Sequence, residues 1–188
     1  MYNDINDGNG NCRRFFLSDL ISANSIKTII DEIIKINYED SKKDKKYKNF
    51  KREPILLYIN SFGGSVYDGL ALCDIIEKSK TPVHTIAIGS VMSMALPIFL
   101  CGTKRYIGKY TTLMFHDVAM FTWDKVECVK PELAESERVR DVMCNIIKRK
   151  SSVTQKMLNE YLKNKENWYI TAEEALKYKL ADAYYTEK

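Results

Sequence analysis

The sequence predicts a single α/β domain on three observations. A continuous apolar run, 55–59, has the length and composition of a strand buried on both faces, and 83–88 reads as a second buried strand. Each is followed by glycine, a tight turn and a helical pattern. Strand and helix patterns alternate between 13 and 185, with no internal repeat and no linker, which is the order of an α/β chain. At 188 residues the chain fits one domain and can bury a substantial core.

Residues 1–12 are polar and read as a flexible N-terminal tail, leaving 13–188 as the folded domain. Residues 13–17 suit a first short strand. Ser22 is placed to cap a helix whose Ile26, Ile29, Ile30, Ile33 and Ile34 share one face of a 3.6-residue period. The charged stretch 40–53 reads as an exposed basic loop insertion. After the strand at 55–59, Gly63-Gly64 signals a turn, and 66–80 predicts a helix with Leu70, Ile75 and Ile76 in the core. Pro82 ends it. The second buried strand, 83–88, stops at Gly89 and leads to an apolar helix over 94–101. Short strands are expected near 105–107 and 112–116. Pro131 suits the first position of a long helix reaching about 150. Thr154 caps a helix running to 163, Thr171 and Glu174 form a capping box for the last helix, and 183–185 closes the chain as a short strand.

Composition removes several function classes. The net charge of +4 is mild. Its source is local, Lys42-Lys43-Asp44-Lys45-Lys46-Tyr47-Lys48-Asn49-Phe50-Lys51-Arg52, without the basic face and stacking aromatics of a nucleic-acid binder. Cys12, Cys73, Cys101, Cys128 and Cys144 form no CxxC pair, and His84 and His116 are the only histidines, so no metal-ligand cluster is expected. Scattered cysteines suit buried thiols in a reducing compartment. The N-terminus has no signal-peptide pattern, and the longest apolar run, 94–101, is far short of the ~20 residues a membrane span needs. A cytoplasmic location without membrane contact is expected.

The chemistry concentrates where strand gives way to helix. In Ile88-Gly89-Ser90-Val91-Met92-Ser93-Met94, a serine stands between a buried strand and an apolar helix, where backbone N–H groups can serve a nucleophile and an oxyanion. Serine at such a position more often caps the helix, and spacing alone favours the cap.

The ordered motifs change that weighting. Leu57-Tyr58-Ile59-Asn60-Ser61, followed after Phe62 by Gly63-Gly64-Ser65-Val66, resembles the signature of the Clp protease proteolytic-subunit family (ClpP). So do Gly89 with Ser93-Met94, Met114-Phe115-His116, Thr171-Ala172-Glu173-Glu174-Ala175, Leu180-Ala181-Asp182, and the opening Arg14-Phe15-Phe16-Leu17. Together they cover roughly 13–186, and several motifs in order are far more specific than one.

The resemblance implies a ClpP/crotonase-like spiral of ββα units, with a protruding helix-strand handle over about 117–150. It implies a serine endopeptidase in which Ser93 is the nucleophile and His116 the general base. It places the backbone N–H groups of Gly64 and Met94 in the oxyanion hole and sets Ser65 and Val66 against the substrate strand. Stacked heptameric rings of this chain, a hexameric Clp-type ATPase unfoldase and unfolded polypeptide substrates are the implied partners, with no metal or organic cofactor.

The sequence departs from the family at specific points. Asn167 occupies the position of the usual third-member aspartate, so an amide stands where a charge is expected. Phe62 replaces a proline, and Asp117-Val118-Ala119-Met120 replaces a polar, glycine-containing stretch whose apolar substitute suits an oligomer contact. The N-terminal region is short and polar. Glu166 is the neighbouring carboxylate to Asn167, whereas Asp117 follows His116 directly and points to the opposite face of an extended strand. Asn167 leaves room for a second reading, a catalytically silent ring subunit assembled with an active paralogue. A third, an acyl-CoA enzyme of crotonase type, needs no Ser-His pair and leaves Ser93 and His116 unexplained.

Overall fold

The computed structural model describes residues 12–117 and 126–186. In chain order they form β1 (Arg14–Leu17), α1 (Ala23–Lys46), β2 (Ile55–Ser61), α2 (Val66–Lys78), β3 (Val83–Met92), α3 (Ala95–Leu100), β4 (Lys104–Ile107), β5 (Thr112–Phe115), α4 (Val126–Lys150), α5 (Gln155–Asn164), β6 (Trp168–Thr171), α6 (Ala172–Lys177) and β7 (Ala183–Tyr184). The expected α/β architecture holds. The sheet runs β1-β2-β3-β4-β7, all neighbours parallel, as crossover helices require.

β3 is the axis of the sheet. Over its first half it pairs with β4, His84 to Ala87 against Lys104 to Ile107. Over its second half it pairs with β5, Ser90 to Met92 against Thr112 to Met114. β2 lies along its other edge, with Ile55 opposite Val83 and Ile59 opposite Ala87. β6 then returns antiparallel against β5.

The expected end of this strand at Gly89 is corrected. The register jumps from Ile59↔Ala87 to Ser61↔Val91, so β3 bulges at Gly89 and continues to Met92. Gly89 has φ +60, and the Asn60 carboxamide oxygen accepts from the Ser90 N–H at 2.9 Å, supplying the bond that the bulge takes from the ladder. A Cβ on Gly89 would sit 2.5 Å from that oxygen, so glycine is the residue that fits.

α1 also differs from expectation. Ser22 caps it through a reciprocal box with Ser25, and Ile26, Ile29, Ile33 and Ile36 are its buried face. Ile34, expected in the core, is half exposed. The helix runs to Lys46, which leaves only 47–54 for the loop expected over 40–53. Lysine is a good helix former, and Lys43, Lys45 and Lys46 in the last turn complement the helix dipole. The long helix that Pro131 was expected to open begins earlier, at Val126, so the proline lies inside α4 and removes one intrahelical bond near its start. The handle strand expected near 117–123 lies almost wholly outside the described residues. β6 was not anticipated as a strand.

α3 is buried on every side, with all six residues inside the core. Leu57, Ile59, Ala87 and Val91 of the sheet belong to the same core at 0% exposure. Burying each large aliphatic side chain stabilises the fold by roughly 1.5–3 kcal/mol, and this helix fixes the turn that precedes it. No helix among the described residues is long and apolar enough to cross a membrane.

One charge belongs to the core. Asp40 is 0% exposed and takes hydrogen bonds from Arg13 at 2.5 and 3.0 Å and from the Thr81 hydroxyl at 2.8 Å, tying α1 to the strand edge. Burial raises the Asp40 carboxyl, but these hydrogen bonds and the Arg13 charge outweigh it, and its pKa lies below the ordinary carboxylate value. Because the native value is depressed, this stabilisation is complete above the unfolded-state pKa of about 3.9 and fades as pH falls through the lower native value. Asp40→Ala strands the Arg13 guanidinium and should cost about 3 kcal/mol. Denaturant titration of wild type and Asp40→Asn down to about pH 2 checks the linkage. The wild-type advantage should vanish at the acid end, and a variant as stable as wild type at neutral pH would contradict this account.

Candidate active site

The site forms where β3 ends. After Met92 the chain makes a single left-handed step at Ser93, φ +53, before Met94 and α3. A non-glycine residue pays about 1–2 kcal/mol for that conformation, and such strain persists where surrounding contacts enforce it. Here the Ser93 N–H donates to the Met114 carbonyl at 2.9 Å, pinning the turn to β5. The ordinary role of such a serine is absent. Met94, not Ser93, is the residue at the N-cap of α3, and no side chain caps the helix. The Ser93 hydroxyl is free for another partner, and His116 takes it: Nε2 and Oγ are 2.9 Å apart.

His116 reaches that position from the end of β5. Leu113 and Phe115 face the core, which turns Met114 and His116 to the opposite face. β3 and β5 pair through Met92↔Met114, so the residue beyond Met92 and the residue two beyond Met114 meet at the mouth of the sheet. With Nδ1 protonated, Nε2 can accept from the hydroxyl, the arrangement needed to draw off its proton.

The glycine turn completes the geometry. Gly63 has φ +101, and a Cβ there would lie 2.7 Å from Ser93 Cβ, 2.9 Å from the Met92 carbonyl oxygen and 3.1 Å from the Met94 nitrogen. The β2 turn is thus pressed directly onto the serine turn, and only glycine permits it. Gly64, φ +144, is equally tight against the Ile21 backbone. Ile21 donates to the Gly63 carbonyl at 2.8 Å and accepts from Ser65 N–H at 2.9 Å, which locks the turn in place. Among the described residues neither the Gly64 nor the Met94 N–H donates to a backbone carbonyl. Met94 directly follows Ser93, and Gly64 directly follows the glycine pressed against it.

The other expected site residues divide. Ser65 and Val66, expected against a substrate strand, stand at the start of α2. Ser65 is the N-cap of α2, its hydroxyl accepting from Asp68 N–H, and Val66 is the first residue of that helix. Asn167 stands just before β6. The pairing Met114↔Tyr169 and Phe115↔Trp168 sets it opposite His116 by one further step of the same register. No hydrogen bond joins the two. The Asn167 amide nitrogen instead donates to the Tyr169 hydroxyl at 3.4 Å. Glu166 is exposed in the turn before it, its N–H given to the Tyr161 carbonyl at 3.0 Å. His84, away from the site, packs edge-on against Tyr106 at 5.9 Å, and burial followed by the Lys104 charge pushes its pKa down. The apolar segment from Val118 to Phe121 lies outside the described residues.

Sequence reasoning missed three contributors. Gly63 is the glycine whose missing side chain lets the turn lie against Ser93, and the Gly-Gly pair was its only signal. Asn60 holds the bulge that carries β3 to the site. Gly69 in α2 gives the Met94 side chain its seat, with an added Cβ 2.3 Å from Met94 Cγ. That glycine sits mid-helix, where its absence of a side chain is otherwise unfavourable.

Comparison with known proteins agrees with this geometry. The family model described as Clp protease matches residues 4–188. A Borreliella burgdorferi protein named ATP-dependent Clp protease proteolytic subunit 1 is 30% identical over 173 residues, covering 91% of this chain and 83% of that protein. A Borreliella afzelii protein named ATP-dependent Clp protease proteolytic subunit is 30% identical over 172 residues, 90% of this chain and 81% of that protein. A Synechococcus protein named ATP-dependent Clp protease proteolytic subunit 2 is 35% identical over 106 residues, 55% of this chain, so the match spans about half the length of that relative, 49%. A model match over nearly the whole chain, with relatives aligned across most of their length, places this chain in the Clp protease family.

Proposed function

We propose that the chain is the proteolytic subunit of an ATP-dependent Clp-type protease, a serine endopeptidase that cuts unfolded polypeptides to short peptides. The observation that carries this reading is the 2.9 Å contact between Ser93 Oγ and His116 Nε2, on a strained turn whose neighbouring N–H groups are unspent.

In this reading Ser93 Oγ attacks the scissile carbonyl as His116 Nε2 takes its proton. The carbonyl oxygen becomes an oxyanion held by the Gly64 and Met94 N–H groups. The His116 proton passes to the leaving amine, the C–N bond breaks and an acyl-Ser93 ester remains. Water, deprotonated by His116, then attacks that ester, and Ser93 recovers its proton as the acid leaves. Donors already fixed in place act most strongly where charge develops, because no reorganisation is needed during the step. Asn167 is the third member, orienting the imidazole ring without a charge.

Family membership supports an assembly of this kind. Two stacked heptameric rings of this chain enclose the Ser93 sites, a hexameric Clp-type ATPase delivers unfolded chains, and the complex works in the cytoplasm. A second reading has one observation in its favour: Asn167 is bonded to Tyr169 and not to His116. A ring subunit with an incomplete triad would serve assembly or gating beside an active paralogue.

Ser93→Ala should abolish hydrolysis of a fluorogenic peptide while light scattering reports the same oligomer as wild type; hydrolysis unchanged in the variant would refute the assignment. Asn167→Asp should raise kcat by about 10-fold, because a carboxylate stabilises the imidazolium that an amide meets only with a dipole. The full effect of the reverse change in chymotrypsin-type enzymes is about 10⁴, and the cost of burying the new charge reduces the gain here. Peptide hydrolysis by wild type, Asn167→Asp and Glu166→Gln at equal oligomer occupancy checks this. Turnover unchanged in the first variant and destroyed in the last would transfer the role to Glu166.

A further inference from the structure

We propose that Tyr169 is a positioning residue of the site: its hydroxyl holds the NH2 end of the Asn167 amide and thereby presents the amide oxygen to His116. The inference rests on the serine-peptidase reading above and names what keeps an asparagine serviceable in it.

Strand geometry brings the three side chains onto one face. In β6, Trp168 and Ile170 are buried whereas Tyr169 is exposed, and the exposed Asn167 just before the strand continues that alternation on the Tyr169 side. Along β5, Leu113 and Phe115 are buried and Met114 and His116 share the corresponding face. The antiparallel register sets Met114 against Tyr169 and Phe115 against Trp168, and one step further sets His116 against Asn167.

Amide chemistry then makes Tyr169 matter. When His116 Nε2 accepts from the Ser93 hydroxyl, Nδ1 carries the hydrogen and needs an acceptor. An aspartate presents an acceptor whichever way it turns. An asparagine has one acceptor end and one donor end, and the wrong orientation sets NH2 against N–H. In this structure the nitrogen end is occupied: Asn167 Nδ2 donates to the Tyr169 hydroxyl at 3.4 Å. The oxygen is the end left for the ring, and it closes on Nδ1–H as the ring takes up the serine proton. Tyr169 is 56% exposed, so removing its hydroxyl does not unmake a core.

The dependence on asparagine gives the test. Tyr169→Phe should lower kcat by about 5-fold, the rate equivalent of one ordinary hydrogen bond, with KM unchanged. In the Asn167→Asp background the same substitution should have no effect, because a carboxylate has no wrong end. An equal loss in both backgrounds, or none in either while the wild type is active, overturns the proposal. A readout independent of turnover uses the fact that the chain has only 2 histidines. Ring-nitrogen NMR of isotope-labelled histidine should show neutral His116 mainly protonated at Nδ1, with Tyr169→Phe shifting it towards the other tautomer. If neither wild type nor Asn167→Asp hydrolyses peptide, the peptidase reading fails on its own, and the NMR result still decides the role of Tyr169: an unchanged tautomer balance in Tyr169→Phe refutes it.

Discussion

The site depends on β3 running ten residues between β2 on one edge and β4, then β5, on the other, past the point where its own sequence stops resembling a buried strand. Beyond Ala87 the strand must change neighbours from β4 to β5 while staying against β2. The bulge at Gly89 absorbs that change, and the Asn60 side chain supplies the hydrogen bond the ladder loses. Without it β3 could not deliver Met92 and Ser93 beside both the Gly63 turn and Met114. Ser93, His116 and the Gly63-Gly64 turn come from three separate strand ends, and this one strand sets their mutual distance.

The close approach of two turns makes the arrangement rigid. Gly63 lies against Ser93 with no side chain between them, and α3, wholly buried, fixes the far side of the serine turn. The left-handed Ser93 backbone is tolerated because the Met114 carbonyl, the Gly63 turn and the Met94 packing on Gly69 all hold it. Strain of this kind keeps the hydroxyl outside the helix cap it would otherwise form. That is the physical difference between a serine that starts a helix and one placed to react.

Much of this was legible in the chain. The buried runs at 55–59 and 83–88, the Gly-Gly turn and the ordered motifs around Ser93 and His116 are local patterns, and local patterns survive into the fold. What escaped was non-local or ambiguous. The bulge needs a side chain from the neighbouring strand, so Gly89 alone looks like a strand end. The charged stretch after Tyr38 looks like a loop because charge dominates it, yet Asp40 is buried by partners 27 residues before and 41 residues after it. β6 is four residues long and sits against a strong helix signal at Thr171, which masks its alternation. The bond from Asn167 to Tyr169 could not be read from spacing, because it depends on which end of an amide faces along the strand.

The central claim is that His116 activates Ser93. The most direct measurement is site-resolved mass spectrometry of the protein after exposure to a fluorophosphonate, which bonds only to an activated serine. The account predicts one adduct, on Ser93, formed in wild type and lost in His116→Ala. No adduct on Ser93, or labelling of Ser93 that is equally fast without His116, would contradict it.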